Sequence, residues 1–577
     1  MLYSKLFGKT IKSAKEFDSA NASLLIKGGF IDQTMAGVYA FLPLGLRVLD
    51  KIETIVREEM DKAGSELYMA SLAPLSLWET TGRLNKVDVL FKAVPANKHS
   101  KDHNDSEYVL NCTHEDVITP IAKKFNISYK DLPFAVYQIQ TKFRNEARPK
   151  SGLLRGREFR MKDMYSFHKS EEERKGFYEE IKKNYLAVYE RTGLGHLTYI
   201  AVASGGDFTK DYSHEFQVRC DAGEDLLFYV PSKNFAYNKE VAPSKSPTEN
   251  QAEDKKLMEK IHTPGIVTVE AVTQKLNVKP TKLIKTLIYK DREDNFFAAA
   301  VRGDYSINII KLEKALDKSG LELASSQDVE KITGAKVGFA GLTNLNKDIP
   351  VIFDDTLEGA VNMVMGANQT DYHYINANFV TDINAPERYF DIKEAKAGDL
   401  HPETSEEYEV FKASEVGNIF PLGTKYTKDF DYTYSDENGE KQPVFMGSYG
   451  IGTTRLMGVI AEVFHDERGL IWPTAVAPFT VHLVGFNLDD EKTKERAYSL
   501  YKTLEQNGIE VLFDDREKIS NGEKLADADL IGCPYRAIIS AKTPENQVEV
   551  KKRTQAEGET TNVYDLIKMA LPQQLPL

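Results

Sequence analysis

Residues 142–162 hold eight lysines or arginines against two glutamates, in a chain of 577 residues whose net charge is −13. A polyanion site is sought there first, because binding follows local and not overall charge. The string FRNEARPKSGLLRGREFRMKDMYSFH, Phe143–His168, begins where a strand-like stretch ends at Arg144, with Glu146 two residues on. Arginine presents a planar fork that holds two phosphate oxygens at once through charge-assisted bonds. A solvated basic hairpin is the plain alternative; the mixture of Arg, Gly and aromatic residues favours a site. A second group is GSYGIGTTR, Gly447–Arg455, ahead of an apolar helix. Glycines there let a backbone approach a ligand, and Arg455 falls near the helix start. A Gly-rich turn before a helix is common, so alone it carries little. The third group is CTHED, Cys112–Asp116, after YVL. A threonine and an acid could hold an ammonium, and an N-capping Thr with a helix-start Glu is an equally natural reading.

These groups need elements to carry them. Leu46–Ala63 places Leu46, Leu49, Ile52, Ile55, Val56 and Met60 on one helical face. Gly64 ends that helix, and ELYMASL reads as a strand. Tyr137–Phe143 and Glu158–Phe167 read as an antiparallel pair around the basic loop Arg144–Arg157, and Glu171–Arg191 as a helix. No Rossmann or Walker loop occurs. APSKSPTENQAEDKK reads as a linker or surface loop, Thr263 to about Val380 as a self-contained α/β pattern, and AKAGDLHPETSEEYE as its far boundary. The block after Ala477 alternates strand and helix, which predicts a small α/β domain with a mainly parallel sheet. The expected division is 1–224 and 401–476 for one domain, 225–400 inserted into it, and 477–577 at the end.

Composition narrows the class. Hydrophobic residues make up 41% and charged residues 28%, enough for several cores and without a disorder signature. No run approaches the ~20 apolar residues of a membrane-spanning helix. The first fifteen residues lack the apolar core of a secretion signal. Three cysteines, Cys112, Cys220 and Cys533, exclude a disulfide framework and a thiolate zinc cage, and fit a reducing cytoplasm.

Taken together and in this order, the motifs resemble those of bacterial-type prolyl-tRNA synthetases, class II aminoacyl-tRNA synthetases with an inserted editing domain. The resemblance spans essentially the whole chain. It rests on LPLGLRVLDKI, LWETTGR, THED, the long Tyr137–His168 string, SHEF, EVGNIFPLGTKY, SYGIGTTR with HDERGLIWP, and DDREKISNGEKLADADLIG. It implies an α/β multidomain chain: a class II antiparallel catalytic sheet with helices, an inserted α/β editing-like domain and a C-terminal α/β anticodon-binding domain. It further implies a cytoplasmic homodimer, away from membranes, that joins L-proline to tRNA(Pro) using ATP with Mg2+ and no zinc. Arg144 and Arg455 would be the catalytic arginines, Arg144 on the ATP α-phosphate and the amino-acid carboxylate, Arg455 on the γ-phosphate. Glu146, Thr424 and Thr453 would complete the ATP site. Thr113, Glu115, His168, Glu215 and Ser448 would line the proline pocket beside Arg144. Proline's secondary ammonium carries two N–H donors, so acidic acceptors suit it. The stretch Glu66–Pro74 would be the first class motif, at the dimer interface, with Ala70 where proline is usual.

The resemblance also makes Lys285 an editing residue of the inserted domain. The need is physical: alanine fits any slot that admits proline, and a missing methylene discriminates by only about 1–3 kcal/mol. The chain departs from the family pattern at four further positions. Asn418 and Pro421 stand in EVGNIFPLGTKY where His and Gln are usual, which keeps a catalytically weakened tRNA-binding paralogue in view. Leu342 stands in GFAGL where proline is usual, so a retained editing fold with altered activity is the alternative there. Ser448 stands where Cys is common, a nearly isosteric exchange. For the anticodon, Asp514–Lys518 and Lys524 are the candidates, against a solvated charged loop.

Overall fold

The computed structural model describes residues 1–11, 17–206, 208–250, 252–345 and 348–571. The chain divides into two compact units, one of residues 1–200, 205–224 and 412–577, the other of 201–204 and 225–411.

In the first unit, helix α1 runs Pro43–Met60, with Pro43 at its first position. Its preset φ starts the helix three residues earlier than the periodicity suggests. The buried stripe is Leu44, Val48, Leu49, Ile52, Ile55, Val56 and Met60. Leu46, assigned to that stripe from the sequence, is 48% exposed. ELYMASL is not one strand. Ser65–Glu66 (β1) and Leu72–Pro74 are extended, and between them side chains replace the ladder: Gln138 Oε1 accepts from Met69 N–H at 2.9 Å, and Gln140 Nε2 donates to Met69 O at 2.9 Å.

The strands that carry the site are β2 (Phe134–Phe143), β3 (Glu158–His168), β4 (Ser213–Arg219), β5 (Glu409–Gly423) and β6 (Phe445–Ile451). Within this unit they lie in the order β4-β5-β6-β3-β2-β1, antiparallel except for β1 beside β2. Helix α2 (Glu115–Phe125) starts at the acidic group. Helix α3 (Glu171–Arg191) buries Tyr178, Ile181, Tyr185, Val188 and Tyr189. Lys162 Nζ donates to Tyr185 Oη at 2.6 Å, so the even-numbered side chains of β3 face α3 and the odd-numbered ones face the other way. Helix α4 (Thr453–Val463) follows the Gly-rich turn.

The C-terminal part of this unit is a five-stranded sheet of β7 (Val481–Gly485), β8 (Val511–Asp514), β9 (Tyr535–Ile539), β10 (Gln547–Lys552) and β11 (Glu559–Asn562) in the order β8-β7-β9-β10-β11. Helices α5 (Glu491–Gln506), α6 (Asn521–Ile531) and α7 (Val563–Ala570) accompany it. It is mixed rather than mainly parallel. β7 pairs in parallel with β8 and β9, but β9-β10 and β10-β11 are antiparallel, because their connections are too short for a crossover helix. The first residues of the chain cover the β8 edge: Leu2 bridges Phe513, Ser4 N and Oγ donate to Asp515 at 2.8 and 2.6 Å, and Thr10 Oγ1 donates to Asp527 at 2.7 Å.

The second unit holds a four-stranded sheet, Glu322–Leu323, Ile284–Lys290, Phe296–Arg302 and Val351–Phe353, and a three-stranded one, Glu259–His262, Tyr372–Ala377 and Met363–Gly366. The two polar stretches read as linker and boundary are laced together. Ser244 Oγ donates to Asp399 at 2.6 Å, Lys245 bridges Leu400, and Tyr408 Oη donates to Pro243 O at 2.7 Å. Side-chain and backbone groups of the two stretches thus bond to one another instead of solvating a free loop.

Candidate active site

Register decides which side chains meet. Gly450 pairs with both Asp163 and Asn418, and Ser448 with Tyr165 and Phe420. Directly paired residues share a face, so Asp163, Asn418, Phe420, Ser448 and Gly450 floor one cavity. Its volume is about 230 Å³, and Thr113, Glu115, Arg144, Phe159, Met161, Phe208, Glu415 and Arg455 are among its walls.

One end is acidic. Thr113 Oγ1 donates to Glu115 Oε2 at 2.6 Å and Ser448 Oγ donates to Glu115 Oε1 at 3.0 Å. The capping reading of CTHED does not hold: His114 occupies the N-cap without a side-chain cap bond, and Thr113 serves the carboxylate instead. The His114 ring donates through Nε2 to Ala70 O at 3.0 Å and accepts at Nδ1 from Lys142 at 2.7 Å. Burial, and then the Lys142 charge, push its pKa down to about 4, so it is neutral. Lys142 Nζ lies 2.6 Å from Asp163 Oδ1, an ion pair under the cavity floor. Arg83, given no role from the sequence, is buried at 3% exposure. Its Nη1 stands 2.6 Å from Asp116 Oδ2 and 3.4 Å from Glu115 Oε2.

Two arginines border the same cavity. Arg144 stacks over Phe159, 5.1 Å from the ring centre. Arg455 Nη1 donates to Glu415 Oε2 at 3.1 Å and to Glu415 O at 2.9 Å. The cavity thus joins a carboxylate fed by two hydroxyls to two guanidinium groups, which suits a zwitterion beside a polyphosphate.

Of the residues singled out from the sequence, Thr113, Glu115, Arg144, Ser448 and Arg455 border the cavity, and Glu146, His168, Glu215, Thr424 and Thr453 are not among its walls. His168 pairs with Phe445 and projects from the α3 face of β3, against Phe177 at 5.3 Å between ring centres. It stands five positions beyond Asp163, an odd offset, so the strand's period of two turns it away. Burial, and then Arg174, lower its pKa to about 4. Glu215 pairs with Asn418 and accepts from its Nδ2 at 3.4 Å, one strand behind the wall. Glu146 is held by Arg155 at 2.8 Å, Thr453 Oγ1 donates to Glu53 at 3.1 Å, and Thr424 O caps the Lys428 N–H at 3.0 Å. Pro421 pairs with Gly447 beside a β-bulge, a place in a sheet where a residue without an N–H is accommodated. The sequence also passed over Phe159, Met161 and Phe208; only their closeness to the motif arginines in the chain or in space marks them out.

In the second unit, Lys285 borders a cavity of about 400 Å³ that also exposes Thr268, Gly338, Gly366 and His373. Lys285 Nζ donates to Tyr305 O at 2.5 Å, and burial lowers its pKa. Leu342 faces a different hollow of about 680 Å³, with Phe353, Ile383 and Arg388. Among the described residues no three His, Cys, Asp or Glu are grouped to hold a metal ion, and no helix is long and apolar enough to cross a membrane.

At the C-terminal end, Lys524 is 1% exposed and donates to Gly485 O at 2.6 Å, and Arg516 is clamped between Asp514 at 2.6 Å and Asp527 at 2.7 Å. Both hold the domain together, which leaves the outer part of the DDREK loop as the solvent-facing portion.

Residues 97–464 match the tRNA synthetase class II core domain family (G, H, P, S and T), and residues 475–572 match the anticodon binding domain family. An antiparallel sheet carrying this cavity, followed by that domain, defines a class II aminoacyl-tRNA synthetase. The proline–tRNA ligase of Bacillus cytotoxicus is 40% identical over 568 residues, 98% of each chain, and that of Caldicellulosiruptor bescii 41% over 575 residues, 99% of this chain and 98% of its own. The chain belongs to the proline–tRNA ligase family. Two solved structures share the fold at low identity. Prolyl-tRNA synthetase of Giardia lamblia, in complex with prolyl-adenylate, gives a TM-score of 0.57 at 14% identity over 95% of this chain and 75% of that one. That of Cryptosporidium parvum, with L-proline and AMP, gives 0.55 at 13% over 95% and 73%.

Proposed function

We propose that the 230 Å³ cavity is where L-proline and ATP react to give prolyl-adenylate and pyrophosphate, the prolyl group then passing to the 3′ end of tRNA(Pro). The observation that carries this is the pairing of a Thr113–Glu115–Ser448 cluster with Arg144 and Arg455 across one small cavity. Glu115 takes the secondary ammonium. Arg144 orients the amino-acid carboxylate against the α-phosphorus, and Arg455 draws charge along the leaving pyrophosphate. Mg2+ enters as part of the nucleotide substrate. Positioning and charge stabilisation suffice, because the attacking group is the substrate's own carboxylate. Pro421 lies outside the wall, and the retained Arg144 and Arg455 in it weigh against an inactive paralogue. Exchange of labelled pyrophosphate into ATP that requires proline, and runs far less with alanine, is the expected result. Exchange driven better by threonine or glycine would overturn the specificity, and no exchange would favour the tRNA-binding alternative.

The second unit is read as an editing domain that hydrolyses alanyl-tRNA(Pro), its substrate entering the Lys285 cavity. Leu342 lies outside that cavity, and Asn368 Nδ2 fixes the flanking carbonyls of Gly341 and Thr343 at 3.1 and 2.6 Å, a restraint that proline would otherwise supply. A cytoplasmic homodimer is the working form. Tyr68 at 77% exposure and Leu72 at 50%, in the 66–74 stretch, offer apolar surface to a second copy.

A further inference from the structure

Arg83 lies behind the cavity and outside its wall, yet it reaches two groups that form the wall. Its position begins with a turn. The helix Leu75–Thr80 ends at Thr81, Gly82 adopts φ +64°, and the chain doubles back so that Arg83 N–H donates to Trp78 O at 2.9 Å. A side chain at residue 82 would be strained by that φ, so the glycine is what sends Arg83 inward. The guanidinium then sits among three aromatic rings, 4.9 Å from Trp78, 5.1 Å from Phe208 and 5.3 Å from Tyr426. Burial acts to lower its pKa, but Tyr426, Glu115 and Asp116 more than reverse this, so it is a fixed cation.

Its anionic partners do different work. Asp116 Oδ2, at 2.6 Å, neutralises the charge and is itself anchored by Thr81 Oγ1. Glu115 Oε2, at 3.4 Å, is drawn to the same nitrogen and also accepts from Thr113. That leaves Glu115 Oε1 on the side of Ser448 and the cavity. Phe208, stacked on the guanidinium, also packs on Phe420 at 4.6 Å between ring centres, and both rings border the cavity. One buried cation therefore fixes a carboxylate and an aromatic wall together.

We propose that Arg83 is a positioning residue for amino-acid selection, orienting Glu115 so that the cavity reads the secondary ammonium of the substrate. The inference rests on the proline reading above. It requires that loss of Arg83 fall on ammonium recognition and spare the nucleotide, whose arginines are held elsewhere, Arg455 by Glu415 and Arg144 on the Phe159 ring.

The test is proline-dependent ATP–pyrophosphate exchange by the full chain, with tetrahydrofuran-2-carboxylate as a competitor. That analogue keeps the ring and carboxylate but carries oxygen where proline carries its ammonium. For Arg83→Met the expected result is a KM for proline raised tenfold or more, a KM for ATP within twofold of the parent, and a Ki for the analogue within twofold. Arg83→Lys should recover part of the proline KM, since it restores charge without the planar stack. A KM for ATP or a Ki for the analogue that rises in step with the proline KM would overturn the proposal, because a general loss of shape would do that. So would an unchanged proline KM. Should Arg83→Met not fold, Arg83→Lys decides by the same criteria, a raised proline KM alone supporting the proposal and an unchanged one refuting it. Absence of exchange in the parent would instead strike the proline reading itself.

Discussion

Arg144 and Arg455 border one cavity but stand in different electrical states. Arg455 already shares its charge with Glu415 at 3.1 Å, whereas Arg144 rests on the Phe159 ring. The uncommitted guanidinium has most to lose when charge develops on a phosphate. Arg144→Ala should lower the exchange rate by about 10²–10³ with the fold intact, and Arg144→Lys should fail nearly as badly, because an ammonium lacks the bidentate fork. Near-normal exchange by either would make Arg144 a surface charge. Arg144 was legible from the sequence because the residues that explain it are contiguous with it. Arg83 was not, since its meaning lies 32 and 33 residues away at Glu115 and Asp116. His168 differs in another way: it belongs to the same string, but strand parity turns it to the other face.

At the scale of elements, the glycines of β6 are of two kinds. A Cβ on Gly447 would lie 2.2 Å from Tyr449 Oη, so that glycine serves packing. A Cβ on Gly450 would meet nothing nearer than Met161 Sδ at 3.5 Å, so the position tolerates a side chain that would grow into the cavity. Gly450→Val is therefore expected to melt within a few degrees of the parent while raising the KM for proline at least tenfold; a parent-like KM would mean the cavity lies elsewhere. In the second unit, Lys285→Ala should remove most hydrolysis of alanyl-tRNA by the full chain, and equal hydrolysis by parent and variant would deny Lys285 a role. The strand pair and helices around the basic loop were readable because each keeps one periodicity throughout. The polar stretches at 242–256 and 395–409 were not, because composition reports solvation and cannot show that two such stretches bond to one another.

For the whole molecule, burial holds His114, His168, His214 and His482 at pKa values of about 4. In the unfolded chain they titrate near 6.5, so between those values the unfolded state binds protons that the folded state refuses. The contribution of these four histidines is full above about pH 6.5, falls as pH drops, and levels off below about pH 4. Trp78 and Trp472, the chain's two tryptophans, are both buried in the first unit and report its unfolding. The urea midpoint of their fluorescence should drop between pH 6.5 and 4.5, and His482→Gln should flatten that slope by about one proton; a flat profile would contradict the burial. The segment over the β8 edge bears on how the chain is made. Ser4 meets Asp515 across 511 residues, so the segment over this edge can dock only after residue 515 has been made. A loop tenfold longer than usual costs about 2 kcal/mol more to close. Until it closes, β8 is an open strand edge available to a neighbouring chain. Biogenesis should therefore be concentration-sensitive late in synthesis, and chains lacking residues 2–10 should give rising light scattering on refolding where the parent stays clear.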